Sequence, residues 1–151
     1  MSDTSDSHST LMARDYRFFE AAKKAAGEST FKVHVGAVAV WKGKIIASAA
    51  SHEKTHPMQR EWNRYRPFRQ IGVCLPKIHA EMGVLAKLKK MDVPMSEVKM
   101  YVYRICKSRE HGYARPCSAC YHALLAAGLK VCYYTTDIGF CCEWLENYKE
   151  A

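Results

Sequence analysis

The sequence has no apolar run near the ~18 residues that a membrane-crossing helix requires, so no membrane partner is expected. Its first ten residues, MSDTSDSHST, hold neither a basic cluster nor an apolar stretch, so no secretory leader is expected. They have nothing to bury and read as a disordered tail, with residues 11–151 as one domain. Beyond that tail there is no low-complexity tract, no internal repeat and no break in composition that would mark a second domain. An even set of cysteines is also missing. Seven in a chain without a leader argue against a disulfide framework and for metal or thiol chemistry in a reducing, cytoplasmic setting.

What is present is ordinary globular composition: 151 residues, 48% hydrophobic, enough for a real core without staples. The formal charge of +8 suits an anionic partner, though net charge speaks to partners and solubility rather than to chemistry. Phe18, Ala22 and Ala25 recur at helical spacing over 11–26, with Gly27 as the stop. Residues 33–41 and 44–48 flank Lys42-Gly43 and read as a hairpin. Residues 51–77, broken by Pro57, Pro67 and Pro76, read as irregular.

A helix over 78–90 follows, with Ile78, Met82, Leu85 and Leu88 on one face, then a strand over 100–105. Pro116 is read as opening a third helix at its first position, with Gly128 closing it. A strand over 131–136 leads into the turn Asp137-Ile138-Gly139. Only 15 residues follow Thr136, too few for a helix and a crossover strand, so 140–145 is expected to return antiparallel. The order α-β-β-α-β-α-β-β predicts an α/β fold with helices on both faces of one sheet.

Three residues stand out for type and spacing. Cys117 and Cys120 are three apart at a helix start, where the dipole and free N–H groups favour thiolate. His79 lies 38 residues before Cys117, at the start of the preceding helix. Two thiolates and an imidazole form the ligand set of a catalytic zinc (Zn2+) site, with the fourth tetrahedral position left for water. Glu81, two residues after His79, could move a proton at such a water without being a ligand. Blander readings stand beside these: a redox pair or packed thiols for Cys117 and Cys120, a dipole-stabilising acid for Glu81. His122 as a fourth ligand would close the site.

His79-Ala80-Glu81 and Pro116-Cys117-Ser118-Ala119-Cys120 together resemble the two motifs of the cytidine deaminase superfamily, H-x-E and P-C-x-x-C. The likeness spans roughly residues 11–146 and implies a three-layer α/β/α sandwich with a five-stranded mixed sheet, its last strand antiparallel. It also implies hydrolytic deamination at C4 of a cytosine or C6 of an adenine. His79, Cys117 and Cys120 would hold zinc, Glu81 would shuttle protons, and the backbone at Ala80 would contact the base. Homo-oligomers are common in the family. Where many members carry an Asn that holds the sugar or base, this chain has Ser51, with Asn63 as a possible substitute from the following loop. The antiparallel last strand is similar to the free-nucleoside branch, so a nucleoside or small nucleotide is the expected partner.

Two other readings remain. Arg60, Arg64, Arg66 and Arg69 interleave with Trp62, Tyr65 and Phe68, as in single-strand nucleic-acid binders; the alternative is an amphipathic turn with its rings in the core. The charged loop 106–115 could cover the pocket or hold a phosphate through Arg109 or Arg115. The runner-up functions are therefore a deaminase of single-stranded DNA or RNA and a structural zinc module that binds nucleic acid. Cys74, Cys106, Cys132, Cys141 and Cys142 are expected in the core or sheet, and His34, His52, His56 and His111 at the surface or satisfied.

Overall fold

The computed structural model describes residues 11–54, 56–65, 78–146 and 148. Five strands form one mixed sheet in the order β2-β1-β3-β4-β5: β1 Val35–Trp41, β2 Lys44–Ala50, β3 Lys99–Arg104, β4 Val131–Thr135 and β5 Phe140–Trp144. The hairpin β1–β2 turns on Lys42 and Gly43, both at positive φ (52° and 75°), as a twist-matched two-residue turn requires. All strand pairs are antiparallel except β3–β4, and β5 returns antiparallel beside β4 because the connection 136–139 is too short for a crossover.

Helix α1 (Ala13–Ala26) covers one face, where Phe18, Phe19 and Ala22 meet Val38, Tyr101 and Tyr133. Burial of each phenylalanine contributes about 1.5–3 kcal/mol. Helices α2 (Pro57–Trp62), α3 (Ala80–Leu88) and α4 (Ser118–Ala127) cover the other, where Met82, Leu85 and Leu124 pack on Ala39, Met100 and Val102. The result is a three-layer α/β/α sandwich.

The topology sets where a site can form. β2 and β3 are both antiparallel to β1, so they run the same way, and β4 runs with β3. Helices α3 and α4 follow the C-terminal ends of β2 and β3 on one face, so both begin at the same edge of the sheet. In open α/β sheets that edge is where ligands bind.

Several local expectations are corrected. Residues 51–77 are not wholly irregular, because Pro57 opens α2 instead of breaking the chain. Its missing N–H costs nothing at the first helical position, and His56 Nδ1 caps the helix by accepting from Met58 N at 3.1 Å. Asn63–Tyr65 then forms a 3-10 turn. Pro116, conversely, lies one residue before the cap of α4, and Cys117 is the cap itself. Ile78 precedes α3 and forms a bridge with His52, and Gly27 ends α1 in a right-handed conformation (φ −63°) that any residue can adopt. Cys106 lies in the loop after β3, half-buried beside Ser108, and not in the core or sheet. Residues 1–10, Cys74 and residues 66–69 of the basic-aromatic stretch lie outside the described residues. No described helix is long and apolar enough to cross a membrane.

Candidate active site

His79 and Cys117 occupy equivalent places, each the extended N-cap residue of its helix, and Cys120 lies one turn inside α4. Because α3 and α4 start at the same sheet edge, the three side chains meet. His79 Nδ1 lies 3.5 Å from Cys117 Sγ and 3.3 Å from Cys120 Sγ. One ligand atom from each of the three residues falls within 4.8 Å of the others. A tetrahedral ion with Zn–S near 2.3 Å and Zn–N near 2.0 Å would set its N···S edges at about 3.5 Å, so the spacing fits zinc. A hydrogen bond with Cys120, opposed by burial and reinforced by His79, holds the Cys117 thiol well below its ordinary range. That favours the thiolate a metal needs.

His122 does not join them. Its Nδ1 donates to Ser118 O (2.7 Å), and its ring stacks on Tyr65 at 4.1 Å. Among the described residues no fourth His, Cys, Asp or Glu joins the cluster.

Glu81 is 5% exposed and shares a cavity of about 270 Å³ with His79 and Cys117. Burial pushes its carboxyl up to about 7, with His79 pulling it down and Cys117 pushing it further up. Phe31, Val33, Val35, Ala80, Tyr113, Ala114, Ser51, Arg104 and Arg115 complete the wall. Ala80 is the first residue of α3, so its N–H has no partner within the helix.

The two other expected substrate contacts are placed differently. Ser51 lines the cavity, but its hydroxyl is engaged: it donates to Val33 O (2.8 Å), accepts from Val35 N (3.2 Å) and lies 2.7 Å from Ser29 Oγ. Asn63 is not on the wall; its Oδ1 accepts from Gln59 Nε2 at 2.8 Å. Gln59, which the sequence did not single out, is 1% exposed, and its Oε1 accepts from the backbone N of His79 at 2.9 Å. Asn63 thus reaches the site through Gln59, and α2 fixes the position of the histidine. Gln59→Leu keeps the volume but strands two half-buried polar groups, His79 N–H and Asn63 Oδ1, at a cost of about 1–3 kcal/mol. It is also expected to weaken zinc binding about tenfold, as loss of an outer-shell partner does. Urea unfolding and a zinc titration check both; wild-type zinc affinity would show that Gln59 does not steady the ligand.

The loop 106–115 folds back along the strand ends. Gly112 N bonds Arg104 O (2.9 Å), Thr135 donates to Gly112 O (2.6 Å), and Ala114 N bonds Thr135 O (2.9 Å). Buried His111 bonds Thr136 O at 2.6 Å. This brings Tyr113, Ala114 and Arg115 into the wall. Arg115 grips Glu143 bidentately (2.9 and 3.0 Å), and Tyr134 donates to the same carboxylate at 2.7 Å. Burial disfavours the charged Glu143, but Arg115 and Tyr134 outweigh it and hold the carboxyl below its ordinary value. A depressed acid contributes stability that is present above the ordinary value of 4.5 and lost as pH falls through the folded one. Glu143→Gln is therefore expected to cost about 1–3 kcal/mol at pH 7, with a deficit that narrows in acid. Urea midpoints across that range test it.

In the stretch that began at Arg60, Trp62 stacks on Tyr65 (5.5 Å), Tyr65 on His122, and Arg64 lies over both indole and phenol. The described rings are already stacked on protein partners.

The family model of the cytidine and deoxycytidylate deaminase zinc-binding region matches residues 12–136. Among solved structures, the apo dCMP deaminase of cyanophage S-TIM5 is similar at a TM-score of 0.57 and 19% identity, covering 84% of this chain and 86% of that one. The cytidine deaminase of Burkholderia pseudomallei is similar at 0.60 and 17%, covering 89% and 94%. At such identities the likeness is one of fold. No curated protein matches significantly.

Proposed function

The chain belongs to the cytidine and deoxycytidylate deaminase family, and on that premise we propose that it is a zinc-dependent hydrolase that converts a cytosine base to uracil in a nucleoside or small nucleotide. One observation carries this reading: a buried acid, Glu81, faces the same small cavity as a His-Cys-Cys cluster. When bound by His79, Cys117 and Cys120, zinc supplies a Lewis acid that makes hydroxide available near neutral pH.

The chain's own residues do the rest. Glu81 accepts one proton from the attacking water and delivers it to the ring nitrogen, then accepts the second from the hydroxyl formed at C4 and delivers it to the departing amine. Water is added at C4 and ammonia leaves, so atoms balance as cytosine plus water to uracil plus ammonia. The free N–H of Ala80 is suited to orient the base, and Phe31, Val33 and Val35 exclude bulk water from it. Ser51 gives this wall its shape, while Asn63 acts through Gln59. A reducing compartment such as the cytoplasm would keep both thiols available.

A cavity of about 270 Å³ admits a single nucleotide unit, and a phage dCMP deaminase of this fold, solved with dCMP and dUMP, supports a small-nucleotide substrate. The test is ammonia release from cytidine, deoxycytidine, their monophosphates, adenosine and single-stranded oligonucleotides. Release from the free cytosine compounds is expected; release from oligonucleotides alone would overturn the reading.

A further inference from the structure

Three arginines lie on or near the cavity, and they differ in what already holds them. Arg115 is on the wall, but its guanidinium is paired with Glu143 and lies over the rings of Tyr121 and Tyr148 at 5.5 and 4.9 Å. Arg109 pairs with Asp137 at 3.2 Å on the exposed loop and does not line the cavity. Arg104, the last residue of β3, is on the wall and half-buried, and its guanidinium has no ion pair or hydrogen bond with any described residue. The segment 66–77, RPFRQIGVCLPK, contains no acid that could pair with it.

The stem of Arg104 is held in place. Its backbone N donates to Thr135 Oγ1 at 3.2 Å and its O accepts from Gly112 N at 2.9 Å. The side chain crosses Gly112, where a Cβ would meet Arg104 Cδ at 3.0 Å and Cγ and Nε at 3.2 Å. Glycine at 112 therefore makes the channel the arginine lies in. A half-buried guanidinium with no partner among the described residues, set beside apolar walls, gains most from an anion that it can grip with its planar fork, and phosphate matches that fork.

We propose that Arg104 is a specificity-determining residue that binds a phosphate monoester on the sugar of the substrate, so that the enzyme favours nucleoside monophosphates over nucleosides. This rests on the deaminase reading above. It also moves the phosphate contact expected of Arg109 or Arg115 to a residue the sequence did not mark.

The test compares kcat/KM for ammonia release from cytidine, deoxycytidine and their 5′-monophosphates on zinc-loaded wild type, Arg104→Gln, Arg109→Gln and Gly112→Ala. Wild type should prefer the monophosphates at least about tenfold, and Arg104→Gln should lower their kcat/KM about 10- to 100-fold, mostly through KM. The monophosphate-to-nucleoside ratio should then fall toward one. Arg109→Gln should keep the wild-type ratio. Gly112→Ala, which crowds the stem without removing charge, should shift the ratio in the same direction as Arg104→Gln. An unchanged ratio in Arg104→Gln, a wild type that prefers nucleosides, or faster turnover of oligonucleotides would overturn the proposal.

If no cytosine compound releases ammonia, the reaction reading fails separately. Equilibrium binding of uridine 5′-monophosphate against uridine then decides on Arg104. Tighter monophosphate binding that is lost in Arg104→Gln supports the assignment, and equal affinities defeat it.

Discussion

Glu81→Gln is expected to lower ammonia release by about 10³-fold while leaving a full equivalent of zinc bound, because it removes the proton carrier and none of the ligands. The glutamine fits the same buried space and cannot ionise. Burial has already pushed the Glu81 carboxyl up to about 7, so neutralising it should not destabilise the fold. The variant should unfold at or above the wild-type midpoint. A structural zinc module predicts the opposite pattern, with function unaffected by this change. Turnover within tenfold of wild type, with zinc present, would remove Glu81 from the mechanism.

Cys117→Ala should act on the metal and the fold together. Its sulfur lies 3.5 Å from His79 Nδ1, and without it only a nitrogen and one sulfur of the cluster remain among the described residues. Metal binding is coupled to folding, so the variant should lose bound zinc and, with it, several kcal/mol of stability relative to the zinc-loaded wild type. Chelation of the wild type should reproduce most of that shift in melting temperature. Cys117→Ala that keeps a full equivalent of zinc would refute the ligand assignment, whatever its activity.

These two substitutions were legible in the sequence for a physical reason. The proposed chemistry is packed into two short segments, His79-Ala80-Glu81 and Cys117 to Cys120, each fixed to a helix start. Two crossovers on one face then suffice to bring those starts together. The antiparallel β5 was legible as well, because the turn Asp137-Ile138-Gly139 leaves no room for a crossover before the next apolar run.

What supports the site was not. Gln59 matters only because α2 crosses the start of α3, a tertiary contact with no local pattern. Arg104 looks like an ordinary strand end until Gly112 folds back over it and the acids are seen to serve Arg115 and Arg109 instead. Asn63 and Ser51 were placed by analogy of position. Their hydrogen bonds show one steadying Gln59 and the other bracing the strand ends at Val33 and Val35. Pro57 and Pro116 could not be told apart as opener and flank, since a proline suits either place beside a helix N-terminus.

Zinc K-edge X-ray absorption on the zinc-loaded protein reads the ligand set itself. Two sulfurs near 2.3 Å, two lighter ligands near 2.0 Å and the outer-shell scattering of one imidazole are expected: Cys117, Cys120, His79 and a solvent oxygen. Three or four sulfurs, or a second imidazole, would mean a closed centre with no place for water beside Glu81 and would contradict this assignment.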